Sequence, residues 1–125
     1  MRKSNNPKRR YIPSEYEECK LLADYLNLKR IPFMHIPNEG KRSLIIGSQL
    51  KRIGLQPGFP DYIIFRTPPK DPEKKGIIIE MKRRKGGNIS ENQEKWIRIL
   101  RDDGYIAFIA KGAHEAIMRL QELGL

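Results

Sequence analysis

Three side chains in the stretch from Gly58 to Lys82 have the types and positions needed for chemistry on a phosphate ester: Asp61, Glu80 and Lys82. Gly58-Phe59-Pro60-Asp61-Tyr62-Ile63-Ile64-Phe65 is a short apolar run bounded by Gly and Pro, which is the pattern of a strand. Gly76-Ile77-Ile78-Ile79-Glu80-Met81-Lys82 holds three consecutive β-branched isoleucines and reads as a second strand. Side chains alternate along a strand, so Glu80 and Lys82 share one face while Ile79 and Met81 share the other. A carboxylate and an amine next to a run of core residues are costly unless they have partners. If the two strands pair as a hairpin, Asp61 falls opposite the end of the second strand and the three charges converge. Two carboxylates at a sheet edge suit a hard divalent cation such as Mg2+ or Mn2+. A lysine beside them can hold a water or face a developing negative charge, the outline of phosphodiester hydrolysis.

The elements around this pair follow from the pattern on either side. Residues 1–12 form a basic tail carrying Arg2, Lys3, Lys8, Arg9 and Arg10, read either as a solvated flexible terminus or as an arm along a phosphate backbone. Residues 13–125 form one domain. Ser14 caps a helix reaching about Lys29, whose early acids Glu15, Glu17 and Glu18 complement the helix dipole. Cys19, Leu22 and Leu26 lie on its inward stripe, with Glu15 and Glu18 on or beside it. Glu18 is thus either a dipole partner or an acid reaching the metal site. Ile31 to Pro37 reads as a short strand, and a short helix is expected around Ser48 to Ile53. Lys41, Arg42, Lys51 and Arg52 either border the approach to Asp61 or form a solvated face.

The loop from Thr67 to Lys75 holds Pro68, Pro69 and Pro72, which no sheet interior accepts. Beyond the second strand, Lys82-Arg83-Arg84-Lys85 places four cations where a phosphate backbone would pass. Ser90-Glu91-Asn92-Gln93 has the form of a capping box, opening a helix to about Asp103 with Trp96, Ile97 and Leu100 inward. Gln93 serves that cap or points its amide at the active site. A strand from Tyr105 to Ala110, apolar throughout, is central or covered on both faces. A helix from Gly112 to Leu123 follows.

Composition narrows the partner. Lys and Arg number 25 against 15 Asp and Glu, a net charge of +10 in 125 residues, which points to a polyanion and most simply to nucleic acid. No apolar stretch approaches the ~20 residues of a spanning helix, and none follows the basic start as in a secretory signal, so a cytoplasmic protein is expected. One cysteine, Cys19, forms no internal disulfide, and with His35 and His114 far apart in the chain a zinc site is not expected.

Pro60-Asp61 followed by Glu80-Met81-Lys82 matches the PD-(D/E)xK nuclease pattern. The wider set is more specific. Ser14-Glu15…Glu18-Cys19…Leu26, His35-Ile36-Pro37-Asn38-Glu39-Gly40, Gly54-Leu55…Pro57-Gly58-Phe59-Pro60-Asp61, Glu80-Met81-Lys82-Arg83 and Gln93 together resemble the VRR-NUC (virus-type replication-repair nuclease) domain over roughly Ser14 to Leu120. The resemblance implies a restriction-endonuclease-like αβ sandwich with a mixed central sheet flanked by helices, and Mg2+- or Mn2+-dependent cleavage of DNA. Carried over by position, it implies Asp61, Glu80 and the backbone carbonyl of Met81 as metal ligands, Lys82 as catalytic lysine, and Gln93 as a support. It implies Glu18 as the helix-one acid, with Glu15 the competing candidate. Small stand-alone members resemble Holliday-junction resolvases, which implies branched DNA in replication, recombination or repair, and a homodimer. Two other readings stand beside it: a nucleic-acid-binding module without catalysis, and a sequence-selective restriction-type endonuclease.

Overall fold

The isoleucine run at 77–79 becomes the middle of a sheet because every side chain in it finds an apolar layer, on one face or the other. The structure is a computed structural model describing residues 11–37 and 43–125. Its elements are α1 (Glu15–Leu28), β1 (Phe33–His35), α2 (Leu44–Arg52), β2 (Tyr62–Ile64), β3 (Ile77–Lys82), α3 (Glu91–Asp102), β4 (Ile106–Lys111) and α4 (Ala113–Glu122). The strands lie in the order β1-β2-β3-β4, antiparallel across the first two junctions and parallel between β3 and β4. This is the mixed sheet between helices that the resemblance implied. Ile77, Ile79 and Met81 pack with Leu22 and Leu26 of α1 and Ala116 and Leu120 of α4. Ile78 packs on the opposite face with Ile97 and Leu100 of α3. β4 is an edge strand covered on both faces, which explains its unbroken apolarity. No helix among the described residues is long and apolar enough to cross a membrane.

The helix starts are built by serines. The hydroxyls of Ser14 and Ser90 accept the backbone N–H groups of Glu17 and Gln93, whose side chains return to the cap backbone. Ser43 caps α2 by accepting from Ile46 N–H. That cap starts α2 four residues earlier than the expected Ser48, and Gly47 lies within the helix. The strand expected over Ile31 to Pro37 is confined to Phe33–His35, since the flanking prolines donate no ladder hydrogen bonds. The basic tail, apart from its last two residues, lies outside the described residues.

Glu18 departs from its expected place. Its carboxylate is fully buried and receives Arg84 Nε at 2.9 Å on Oε2 and Arg84 Nη2 at 3.0 Å on Oε1. The Ala113 N–H adds a third bond at 3.3 Å. This bidentate pair ties α1 to the segment after β3 and to the start of α4. Gly112 makes the approach possible: it has φ +91°, and a Cβ there would lie 3.0 Å from Glu18 Oε2. The Arg84 guanidinium holds the Glu18 carboxyl below its ordinary 4.5, so the pair's stabilisation is present above that pH and is lost on acidification.

Arg84→Ala is expected to destabilise the fold, because it leaves the buried Glu18 carboxylate without its guanidinium. The urea midpoint at pH 7 should fall, and the gap between variant and wild type should narrow on acidification below 4.5.

Candidate metal centre

α1, the loop before β2, and β3 each deliver one acid to a common point. Glu15, Asp61 and Glu80 each place a carboxylate oxygen within 4.8 Å of the others. Glu15 is the first residue of α1, and the Ser14 cap fixes its direction. Asp61 immediately precedes β2. The β2–β3 register pairs Tyr62 with Ile79, so one step further sets Asp61 opposite Glu80. The backbone of Asp61 is anchored by Ile36 N–H donating to its carbonyl at 2.6 Å. Its Oδ2 accepts the Met81 N–H at 2.7 Å. Met81 thus contributes a backbone group to the site while its side chain lies in the core.

Glu80 is 2 % exposed. Its Oε1 accepts Gln93 Nε2 at 2.9 Å and lies 3.6 Å from Lys82 Nζ. The two readings of Gln93 prove compatible: its amide oxygen accepts Ser90 N–H at 3.0 Å in the capping box, and its amide nitrogen holds Glu80. Helix start and site are therefore one construction. Gly58 sets its distance from the sheet. It has φ +80°, and a Cβ would meet Asn92 Cβ at 2.6 Å and Gln93 N at 2.8 Å. Any side chain there pushes the first turn of α3, and with it the Gln93 amide, away from Glu80.

Burial first, and the neighbouring Asp61 charge second, push the Glu80 carboxyl up to about 8, although Lys82 pulls the other way. Two small clefts flank Asp61. One of about 230 Å³ is lined by Glu15, Cys19, His35 and Asp61, and one of about 220 Å³ by Phe59, Asp61, Glu80 and Gln93. His35 is exposed, its ring tilted against that of Tyr62 with centroids 4.9 Å apart. Burial pushes the Cys19 thiol up to about 11, so it is no nucleophile at neutral pH. Among the described residues the one group of three or more His, Cys, Asp or Glu able to share an ion is this carboxylate set.

The structure brings together Asp61, Glu80, Lys82, Gln93 and Glu15, and leaves Glu18 out. Glu15 and Glu18 both lie near the inward stripe of α1, but three residues separate them by about 4.5 Å along the axis. The earlier one reaches the sheet edge, and the later one meets Arg84. Arg84, expected as a phosphate contact, commits its guanidinium to Glu18. Arg83 donates to the backbone carbonyls of Pro13 at 3.2 Å and Ile12 at 3.4 Å, so it is tied to the chain before α1. Lys85, Lys51 and Arg52 are exposed. Lys41 and Arg42 lie outside the described residues.

Compared with known proteins, the chain matches the family model of the VRR-NUC domain over residues 13–114. A solved structure described as a VRR_NUC domain protein is similar with a TM-score of 0.72 and 24 % identity, covering 89 % of this chain and 88 % of that one. At that identity the likeness speaks for the fold. No curated protein sequence matches significantly.

Two outcomes are expected from this geometry. In metal-free protein Glu80 binds a proton more tightly folded than unfolded, so its contribution to stability is full below about pH 4.5 and is lost as pH rises through about 8. The melting temperature in chelator should fall across that window, and Glu80→Gln should flatten the slope. Gln93→Ala frees the Glu80 carboxylate to turn and should weaken Mn2+ binding about 10- to 100-fold in calorimetric titration.

Proposed function

We propose, from the premise that this chain belongs to the VRR-NUC domain family, that it is a Mg2+- or Mn2+-dependent structure-selective endodeoxyribonuclease. The observation that carries the reading is the convergence of Glu15, Asp61 and Glu80 beside the Lys82 ammonium. The donor set fits the ion: three carboxylates are hard oxygen ligands, and no thiol or imidazole belongs to the set. The raised proton affinity of Glu80 agrees, because a buried acid beside another acid lacks the positive charge a dication brings. Asp61, Glu80 and Glu15 would hold the ion, with the Met81 carbonyl as a further oxygen donor. Bound there, it would supply Lewis acidity toward phosphate and a more acidic water.

The protein's own groups have separate tasks. Gln93 orients Glu80, and the Met81 N–H orients Asp61. The Lys82 ammonium stands beside the acids, where it positions the attacking water or offsets charge on the phosphate as the water oxygen bonds to phosphorus and the ester P–O bond breaks. Lys85, Lys51 and Arg52, all exposed, take the backbone of DNA by charge rather than by sequence. We assign the substrate as branched DNA of the Holliday-junction kind, in phage or bacterial replication, recombination or repair, and the site of action as the cytoplasm. A two-fold junction needs two cuts and the described residues carry one such carboxylate cluster, so the acting form is a homodimer.

A cleavage panel of four-way junction, flap, splayed and linear DNA with Mn2+ tests this. Asp61→Asn and Glu15→Gln should each lower junction cleavage by about 100-fold or more, beyond what loss of an orienting group does. Glu18→Gln should alter stability and leave the metal titration intact. Wild-type cleavage by Asp61→Asn would remove the assignment, and preferential cutting of particular linear sequences would move it to a restriction-type enzyme.

A further inference from the structure

The open edge of β4 carries positive charge that the metal centre does not use. A cleft of about 480 Å³ runs along this edge between α3 and α4, with Ile97, Phe108 and Ile109 as its apolar lining. Arg98 and Arg101 enter it from α3 and Arg119 from α4. Glu94 is the one acid in the lining, so three guanidiniums stand against one carboxylate, an excess of two positive charges. No ion pair among the described residues involves any of the three arginines. Guanidiniums gathered without counter-charges repel one another, and an anion is the occupant that relieves them.

Two of these arginines are held in place by contacts that leave their donors available. Arg101 donates from Nε to the Ala107 carbonyl at 2.7 Å, which leaves both of its Nη groups. Arg119 lies over the Phe108 ring at 4.5 Å, a contact made by the flat face of the guanidinium and not by its in-plane N–H groups. Side chains positioned in advance lose less freedom when a ligand arrives. The strand adds a backbone donor. The Ile106 and Gly112 N–H groups donate to the Gly76 and Lys82 carbonyls of the neighbouring strand segment, so Ala107, Ile109 and Lys111 face the open edge. Arg101 covers the Ala107 carbonyl and the Glu115 carboxylate covers the Lys111 N–H at 3.2 Å. The Ile109 N–H lies between them, at the cleft.

We infer that this cleft binds backbone phosphates of DNA flanking the bond that is cut. The inference rests on the DNA substrate in the reading above and extends the protein's footprint on it across α3 to the far edge of the sheet. Guanidinium forks and a strand N–H are donors that phosphate oxygens take, and they read no base. The placement suits one continuous substrate. Ile109 is the register partner of Glu80, so the cleft lies one strand away from the metal centre. Arg98 stands five residues beyond Gln93 on α3, about 7.5 Å along the helix axis, which is roughly two base-pair steps of a duplex.

The salt dependence of binding tests the cleft without any cleavage. Fluorescence anisotropy of a labelled four-way junction, in chelator and across a salt series, gives the slope of log affinity against log salt. Arg98 is the main probe, because among the described residues its side chain makes no hydrogen bond or ion pair that its loss would break. Arg98→Gln and Arg119→Gln should each lower the magnitude of the slope by about 0.9, one phosphate contact apiece, and the double variant by about twice that. Arg98→Lys keeps the charge and should keep the slope. An unchanged slope in either glutamine variant overturns the inference. So does an equal loss in Arg98→Lys and Arg98→Gln, or a wild type that binds no DNA at low salt. Slopes that shift as expected in a protein that cuts no DNA with Mn2+ would instead remove the nuclease reading and leave this contact standing.

Discussion

Three carboxylates held within 4.8 Å of one another repel, and the repulsion is strongest where one of them is buried. The chain concentrates fixed donors around that point. A backbone N–H holds Asp61, a side-chain amide holds Glu80, and an ammonium stands 3.6 Å from Glu80. None of these supplies enough positive charge to keep Glu80 ionised as an ordinary acid would be. The sheet register, the serine caps and the glycine beside Asn92 all serve to keep an unfavourable charge arrangement in place.

The two buried glutamates show how environment separates structure from chemistry. Glu18 and Glu80 are equally removed from water. Glu18 has a guanidinium on both oxygens and is held as an anion, its proton affinity lowered. Glu80 has an acid for a neighbour and its proton affinity is raised. The first is a closed ion pair that fastens three segments together. The second faces a neighbouring acid, and a proton affinity raised in this way is common at functional sites.

Much of this was legible in the residues. Isoleucine repeats, prolines and serine caps marked the elements, and strand alternation placed Glu80 and Lys82 on one face. What periodicity could not separate was Glu15 from Glu18. Both lie near the inward face of one helix, and the deciding contact comes from Arg84, 66 residues away in the chain. Gln93 shows the complementary difficulty: two uses looked like alternatives because the sequence does not reveal that the amide's two ends face different elements. α2 was shortened for a local reason, since a glycine within a helix looks like a break until the Ser43 cap is seen. Its unburied apolar face has no counterpart in pattern reading, which assigns every such face to a core.

The order of the acids along the chain has a consequence for how the cluster forms. Glu15 belongs to the first helix, and Glu80 comes only with the central strand. Until that strand pairs with its neighbours, the three acids are strangers, and a growing chain holds no such cluster. A chain ending before β3 lacks Glu80 and cannot complete the set.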